Sequence, residues 1–226
     1  MTFSLVGRCA RTGMVGAAVT TSALAVGSRC PWAEAGIGAA LTQNRTDPRL
    51  GPMLLDMLRR GFTARQALDG VVAATPHRGW RQLAVIDMQG RTAAFTGELV
   101  RGELGESHGT DCVAIANIVR SAEVPRAMTR AFEADPALPL AKRLVDALLA
   151  GEAAGGEFQP VVSAALLVAH RESFPHADLR VDRHATPIAE LARLWQAYEP
   201  EADPYVVRAV DPDNATRAPV PPPPAT

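Results

Sequence analysis

The first 22 residues constrain the fold most, because they have the pattern of two strands joined by a tight turn. In "TFSLVG" the apolar Phe3 and Leu5 alternate with polar residues, which is typical of a strand with one apolar face. "RTG", at 11–13, supplies a turn in which glycine adopts a positive φ at little cost. The following run, "MVGAAVTTS", is apolar and rich in β-branched residues. We therefore predict an antiparallel hairpin at the start of the chain.

The same stretch also resembles a secretory signal peptide, and the two interpretations place the protein in different compartments. Arg8 and Arg11 precede the apolar stretch Met14–Val26, and small residues follow it. A signal peptide has no reason to alternate, however, and Thr20, Thr21 and Ser22 interrupt what should be its most apolar part. We therefore favour the hairpin and a cytoplasmic location. In that compartment reduced thiols are expected, whereas secretion could allow one disulfide, among Cys9, Cys30 and Cys112.

Composition narrows the class of protein and its partners. Hydrophobic residues make up 47% of the 226 residues, which is enough for the core of one large domain. The net charge is −1 and no basic block is longer than a pair, so neither nucleic acid nor an anionic membrane is expected as a partner. The apolar runs are shorter than the ~18–20 residues that a membrane-spanning helix needs.

The rest of the chain mixes hairpins and helices. Strands are predicted at Ala35–Gln43, on both sides of a Gln89-Gly90 turn, at Cys112–Val119 and at Val161–Ala169. Helices are predicted from Met53 to a Gly61 cap, from Thr63, at Val124–Glu133, at Leu140–Leu149, and from Pro187 to residue 198. This order lacks the strict βαβ alternation of a parallel sheet and indicates antiparallel sheets covered by helices.

Several enzyme classes with strong sequence signatures are disfavoured. The sequence has no G-x-x-x-x-G-K phosphate loop, no G-x-S-x-G nucleophile elbow and no H-E-x-x-H zinc motif. His170 and His176 fall in an expected loop, where we predict that they are solvated. No metal ion and no other cofactor is therefore expected.

Thr2 is the remaining candidate for chemistry. Initiator methionine is normally removed in the cytosol when the second residue is small, as threonine is. Removal would give Thr2 a free α-amine whose pKa, ~7.7–8, lets it accept a proton near neutral pH. Nucleophile and base would then belong to one residue, although many proteins begin with Met-Thr without using it.

Blocks across most of the chain resemble one bacterial family, the domain of unknown function 1028, grouped with the N-terminal nucleophile (Ntn) hydrolases. The blocks are "TFSLVGR", "AVGSRCPWAEAGIGAALTQNRTDPRLGP", "LAVIDMQGRTAAFTGE", "GEAAGG" with "SAALLVA", and "DLRVDRHATPIAELARL". The resemblance implies an α+β fold, a four-layer αββα sandwich of two antiparallel sheets between helical layers. It implies one domain at residues 1–198, followed by an irregular, proline-rich tail at 199–226.

By superfamily analogy, the resemblance implies an amidohydrolase that cleaves a small amide or peptide-like substrate through Thr2. A non-catalytic protein that binds a small ligand, or acts as a scaffold on the same fold, is the alternative. Ntn-like proteins often assemble through their helices, so a homodimer is expected.

The same resemblance indicates further site residues. The second strand runs beside the first in such folds, so Thr21 and Ser22 are expected to face the nucleophile. Gln43 and Asn44, at the end of the third strand, are candidates for oxyanion or substrate contacts. Each of these four residues has a structural alternative, because strand-end Thr, Ser and Asn often bond the local backbone or form a turn.

The family pattern also points to three later blocks. In "RVDRH" the residues Arg180, Asp182 and His184 would share one face if extended, as a polar wall that holds a substrate carboxylate or orients a base. The alternative is a surface strand with an Arg–Asp ion pair. Asn117 and Ser163 are further candidates, although this chain departs from the family pattern beside both. It has Val113–Ala116 and Val161-Val162 where relatives carry polar residues, which predicts a more apolar pocket.

Overall fold

The computed structural model describes residues 1–216, which form ten strands and five helices. The strands are β1 (Thr2–Arg8), β2 (Val15–Thr21), β3 (Pro31–Glu34), β4 (Gly38–Asn44), β5 (Arg81–Asp87), β6 (Thr92–Thr96), β7 (Glu103–Gly109), β8 (Cys112–Val119), β9 (Ser163–Ala169) and β10 (Ala177–Val181). The helices are α1 (Leu50–Arg59), α2 (Ala64–Ala74), α3 (Glu123–Glu133), α4 (Leu140–Ala153) and α5 (Pro187–Val210). The chain is therefore a mixed α+β protein.

The predicted N-terminal hairpin forms the centre of the larger sheet. This antiparallel sheet has six strands in the order β10-β9-β2-β1-β8-β7. Phe3 of β1 lies opposite Thr20 on β2 and opposite Ala116 on β8. Gly13 in the connecting turn has φ +75°, as the turn prediction required. The start of the chain is thus held between two neighbouring strands at the centre of the larger sheet.

The smaller sheet is antiparallel with the order β3-β4-β5-β6. The single strand predicted at Ala35–Gln43 is wrong at its start, because the chain reverses there. Gly36 and Gly38 have φ +71° and +152°, and this turn joins β3 to β4. The strand β7 was not predicted, because its residues "ELGESHG" show little hydrophobic alternation, as expected of a strand at an edge of the larger sheet.

The helix predictions are confirmed in position, and two of them by their end signals. Thr63 forms a capping box with Gln66 at the start of α2. Gly61, with φ +89°, follows the end of α1.

The last helix is longer than predicted. It continues through Pro200 and Pro204 to Val210, so residues 199–210 are helical rather than irregular. Packing explains the extension, because Ala202 is buried and the rings of Tyr198 and Tyr205 lie 5.7 Å apart. The stretch "APVPPPPAT" lies outside the described residues.

Three apolar clusters hold these elements together. Phe3 and Leu5 on one face of the larger sheet pack with residues of α3, α4 and α5. The other face, with Val6 and Val19, meets apolar residues of the smaller sheet such as Leu41. The far side of the smaller sheet packs on α1 and α2. Even-numbered residues of β1 therefore face the smaller sheet, and Thr2 points the same way.

Within residues 1–216, no helix combines the length and apolar character that crossing a bilayer requires.

Candidate functional site at the start of the first strand

Thr2 lies at the first position of β1, between two strands that hold it in place. Its backbone pairs with Asn117 on β8, and its Oγ1 lies 3.3 Å from Oγ1 of Thr21 at the end of β2. Only 6% of Thr2 is exposed. The prediction that Thr21 faces the candidate nucleophile agrees with this geometry. Two hydroxyls thus meet at one end of the central strand pair.

The carbonyl group of Met1 occupies the space beside these hydroxyls. Its oxygen accepts a hydrogen bond from Thr2 Oγ1 and another, of 2.5 Å, from Thr21 Oγ1. While Met1 is attached, the nitrogen of Thr2 is an amide and cannot act as a base. Removal of Met1 would convert the nitrogen of Thr2 into a free amine. It would also vacate the position of the Met1 carbonyl, where a substrate carbonyl oxygen could accept hydrogen bonds from the same two hydroxyl groups.

A cavity of about 470 Å³ opens at this point. Of the predicted site residues, it is lined by Thr2, Thr21, Ser22 and Asn44. Asn44 has φ +62° and donates from Nδ2 to the carbonyl of Trp80 (2.7 Å), so it also shapes the loop after β4. A larger cavity of about 550 Å³ lies beyond the other end of β1, beside Cys9, and includes none of the predicted site residues in its lining.

Glu157 is a buried carboxyl group that sequence analysis missed. Its Oε2 accepts a hydrogen bond of 3.1 Å from the Ser22 N–H, and its backbone forms a bridge with Val119. Because Ser22 follows β2 and Val119 ends β8, Glu157 spans the gap in front of the first residue of β1. Its Oε1 is buried and has no hydrogen-bond partner among residues 1–216. An orphaned carboxylate oxygen in front of a chain terminus is costly unless it has a partner there.

The protonation of Glu157 responds to this environment. Burial raises the pKa of its carboxyl from 4.5 to about 7, although the Ser22 N–H and the positive charge of the Met1 amine act to lower the pKa. The carboxyl group therefore changes charge near neutral pH.

A pH-dependent stability difference is expected from Glu157. Its raised pKa means that the folded chain keeps a proton that the unfolded chain releases, so the stabilisation is complete below pH 4.5 and is lost as the pH rises through about 7. Relative to the Glu157→Gln variant, the wild-type free energy of unfolding should fall by about 3 kcal/mol between pH 4.5 and pH 8. Urea denaturation of both proteins at several pH values measures this difference. The matched Glu152→Gln variant, at an exposed neighbouring glutamate, should show no such trend.

Gln43 and Asn117 lie in a buried polar network behind Thr2 rather than in the cavity lining. Ser4 Oγ donates to Gln43 Oε1 (2.7 Å), and Gln43 Nε2 donates to Gln82 Oε1 (2.6 Å). Asn117 Nδ2 donates to the same Gln82 oxygen (2.9 Å). Gln43, Gln82 and Asn117 are each fully buried, so the predicted oxyanion role of Gln43 finds no opening to substrate here. Their amides instead fix the two sheets relative to each other.

Ser163, another predicted site residue, forms hydrogen bonds to the backbone of the loop after β2. Its Oγ donates to the Ala23 carbonyl (2.7 Å) and accepts a hydrogen bond from the Val26 N–H (3.2 Å). These bonds secure the loop after β2, whose residues form part of the cavity wall.

The comparisons with known proteins identify the family. The model described as Family of unknown function (DUF1028) matches residues 2–191. The chain belongs to the DUF1028 family. A DUF1028 protein from Silicibacter pomeroyi, known from a crystal structure, is similar to this chain: it has 34% sequence identity and a TM-score of 0.81, and the match covers 87% of this chain and 85% of that one.

A second solved structure is much less similar to this DUF1028 chain. Anbu (ancestral beta-subunit) from Yersinia bercovieri has 10% sequence identity and a TM-score of 0.40, over 88% of this chain and 95% of that one. This likeness is too low to carry an inference about fold or function. No curated protein matches the chain.

The predicted polar wall does not form in this DUF1028 member. The strand β10 ends at Val181, so Arg180, Asp182 and His184 do not continue along one extended face. Arg180 lies 3.3 Å from the carboxylate of Asp182, and Nδ1 of His184 accepts a hydrogen bond from the Thr186 N–H. None of the three lines the Thr2 cavity. The alternative, a surface ion pair, describes Arg180 and Asp182 better.

Histidine and cysteine side chains of this DUF1028 chain differ in part from expectation. The prediction of a solvated His176 is wrong, because only 7% of it is exposed and burial lowers its pKa. The three cysteines are all free and buried. Cys30 lines the Thr2 cavity, and burial raises the pKa of its thiol, which disfavours the thiolate as a nucleophile.

Proposed function

We propose that this DUF1028 chain is an Ntn-type amidohydrolase that cleaves a small amide or peptide-like substrate through Thr2, after Met1 has been removed. The observation that carries the proposal is the Thr2 hydroxyl at the start of the central strand, in a cavity, with Thr21 beside it. In this interpretation the helices and the two sheets are the layers of an αββα sandwich. We also propose a cytoplasmic location, supported by the strand pattern of the first residues, and a homodimer, supported by the family resemblance.

The chemistry follows from joining nucleophile and base in one residue. The α-amine of Thr2 takes the proton from Oγ1 as that oxygen attacks the substrate carbonyl carbon. The tetrahedral intermediate collapses as the amine returns the proton to the leaving nitrogen, which leaves an ester on Thr2. Water, deprotonated by the same amine, then hydrolyses the ester and regenerates Thr2.

Two neighbours support this cycle. Thr21 Oγ1 already donates to the Met1 carbonyl, and we assign to it the same contact with a substrate carbonyl. Glu157 stands in front of the chain terminus with a buried, unpartnered oxygen among the described residues, and we assign to it the orientation of the Thr2 amine. Both assignments use groups that the fold already holds in position.

Mass spectrometry tests the proposal directly. Protein from a cytosolic bacterial expression is expected to lack Met1, and brief treatment with p-nitrophenyl acetate should add one acetyl group that peptide mapping places on Thr2. Hydroxylamine distinguishes the sites, because it cleaves an ester on Oγ1 but not an amide on the nitrogen. The label should persist in the Thr12→Ala control, since Thr12 lies in the distant hairpin turn.

Other outcomes contradict the proposal. A chain that keeps Met1 has an acylated nitrogen and no base, and would favour the non-catalytic, ligand-binding alternative. A chain cut near Gly27 would show that the opening is a signal peptide after all.

A further inference from the structure

The cavity at Thr2 is lined by charges of one sign. Its lining includes two arginines, Arg29 and Arg45, and no aspartate or glutamate. The other polar side chains that line it are neutral hydroxyl, thiol and amide groups. A concave site with fixed positive charge attracts an anionic ligand.

Both guanidinium groups are held by neutral partners. Arg29 Nη1 donates to the carbonyls of Leu24 (2.7 Å) and Ala25 (2.9 Å). The guanidinium carbon of Arg45 lies 4.6 Å from the centre of the Trp80 ring. Within residues 1–216 neither arginine has a carboxylate within ion-pair distance, so their charges are restrained but not neutralised.

The acidic side chains near this cavity are already engaged elsewhere. Asp47 pairs with Arg49 at 2.7 Å and lies 3.8 Å from Arg81. Asp182 pairs with Arg180. Glu157 does not line the cavity; it accepts a hydrogen bond from the Ser22 N–H, and its other oxygen is the one that we assign to the Thr2 amine. These contacts leave Arg29 and Arg45 as the groups available to an incoming anion.

We propose that the substrate of the Thr2 site is an anionic amide, whose carboxylate is bound by Arg29 and Arg45 while its amide carbonyl lies at Thr2. This inference rests on the proposed function. Arginine presents a planar fork of N–H donors that matches a carboxylate, and its charge persists at any physiological pH. The carboxylate contact that the sequence suggested for the block Arg180, Asp182 and His184 is thereby assigned to two other residues.

Calorimetric titration of the Thr2→Ala protein tests the inference without requiring catalysis. Succinamate carries one amide and one carboxylate, whereas succinamide has a second amide in place of the carboxylate. Succinamate should bind at least about 10-fold more tightly. The Arg29→Gln and Arg45→Gln variants should each lose most of this preference. The Arg60→Gln variant is the matched control, because Arg60 is exposed beyond the end of α1 and does not line the cavity.

Each contrary result is distinguishable from a failure of catalysis. Equal binding of the two probes, no detectable succinamate binding, or a preference that survives in the double arginine variant would overturn the inference. Wild-type hydrolysis of both probes at equal rates would also overturn it while leaving the proposed function standing. Thermal unfolding of every variant, at an unchanged midpoint, excludes misfolding as the cause of lost binding.

Discussion

Replacing Thr2 with alanine is expected to lower kcat/KM for amide hydrolysis by at least about 10³-fold, because the change removes the attacking oxygen itself. The α-amine, the cavity and Glu157 remain in the variant, so any residual rate reports on binding and orientation alone. The Thr2→Ser variant keeps a hydroxyl next to the amine and should retain a measurable part of the activity. Initial rates with a series of small amides measure the effect.

The fold should tolerate the alanine, so the loss can be assigned to chemistry. Thr2 loses one hydrogen-bonding hydroxyl at a strand end, while its backbone pairing with β8 is unchanged. The Thr12→Ala variant removes a threonine hydroxyl from the turn at the far end of the same hairpin and should retain full activity. Equal activity in Thr2→Ala and wild type would exclude Thr2 as the nucleophile.

Replacing Gln82 with methionine should cause the largest loss of stability. Gln82 accepts from Gln43 and Asn117, and its Nε2 donates to the Ala116 carbonyl and to Thr96 Oγ1, both at 3.0 Å. Methionine has a similar length but cannot replace these bonds. Three buried groups, one on β4 and two on β8 of the other sheet, would lose this partner, at about 1–3 kcal/mol each, so the free energy of unfolding should fall by at least about 3 kcal/mol.

Urea denaturation at constant pH measures this loss, with Gln196→Met as the control. Gln196 is exposed on α5, and its replacement should change the free energy of unfolding by no more than about 0.5 kcal/mol. A loss below about 1 kcal/mol for Gln82→Met would mean that the network adds little to stability.

The fold was largely predictable because most elements carry their own local signal. The hairpin turn at Gly13, the capping box at Thr63 and the apolar run of β9 each specify their structure within a few residues. The errors arise where contacts between residues distant in sequence determine whether a strand forms or how far a helix extends. The polar strand β7 exists because β8 offers it a partner, and α5 passes Pro200 because its next turns pack against the protein.

The candidate site was predictable only in its first residues. Thr2 was predicted from the expected removal of Met1 before a small residue, and Thr21 from the family resemblance, which places the second strand beside the first. Glu157 was missed because it lies in the small-residue connector "AGEAAGGEFQP", where nothing in the neighbouring sequence indicates burial. Gln43 and Asn117 were chosen for their polar side chains, yet they bond to Gln82, a residue distant in sequence from both. Hydrogen bonds between residues so far apart in sequence cannot be predicted from the local sequence.

The outer strands of the larger sheet have a consequence for aggregation. β7 exposes Glu103 and Glu106, and β10 exposes Asp178 and Arg180. Charged side chains along a sheet edge oppose the addition of a strand from another molecule, because the incoming chain would have to bury them. This sheet is therefore protected against growth into fibrils at both ends, and concentrated solutions of the protein should resist that form of precipitation.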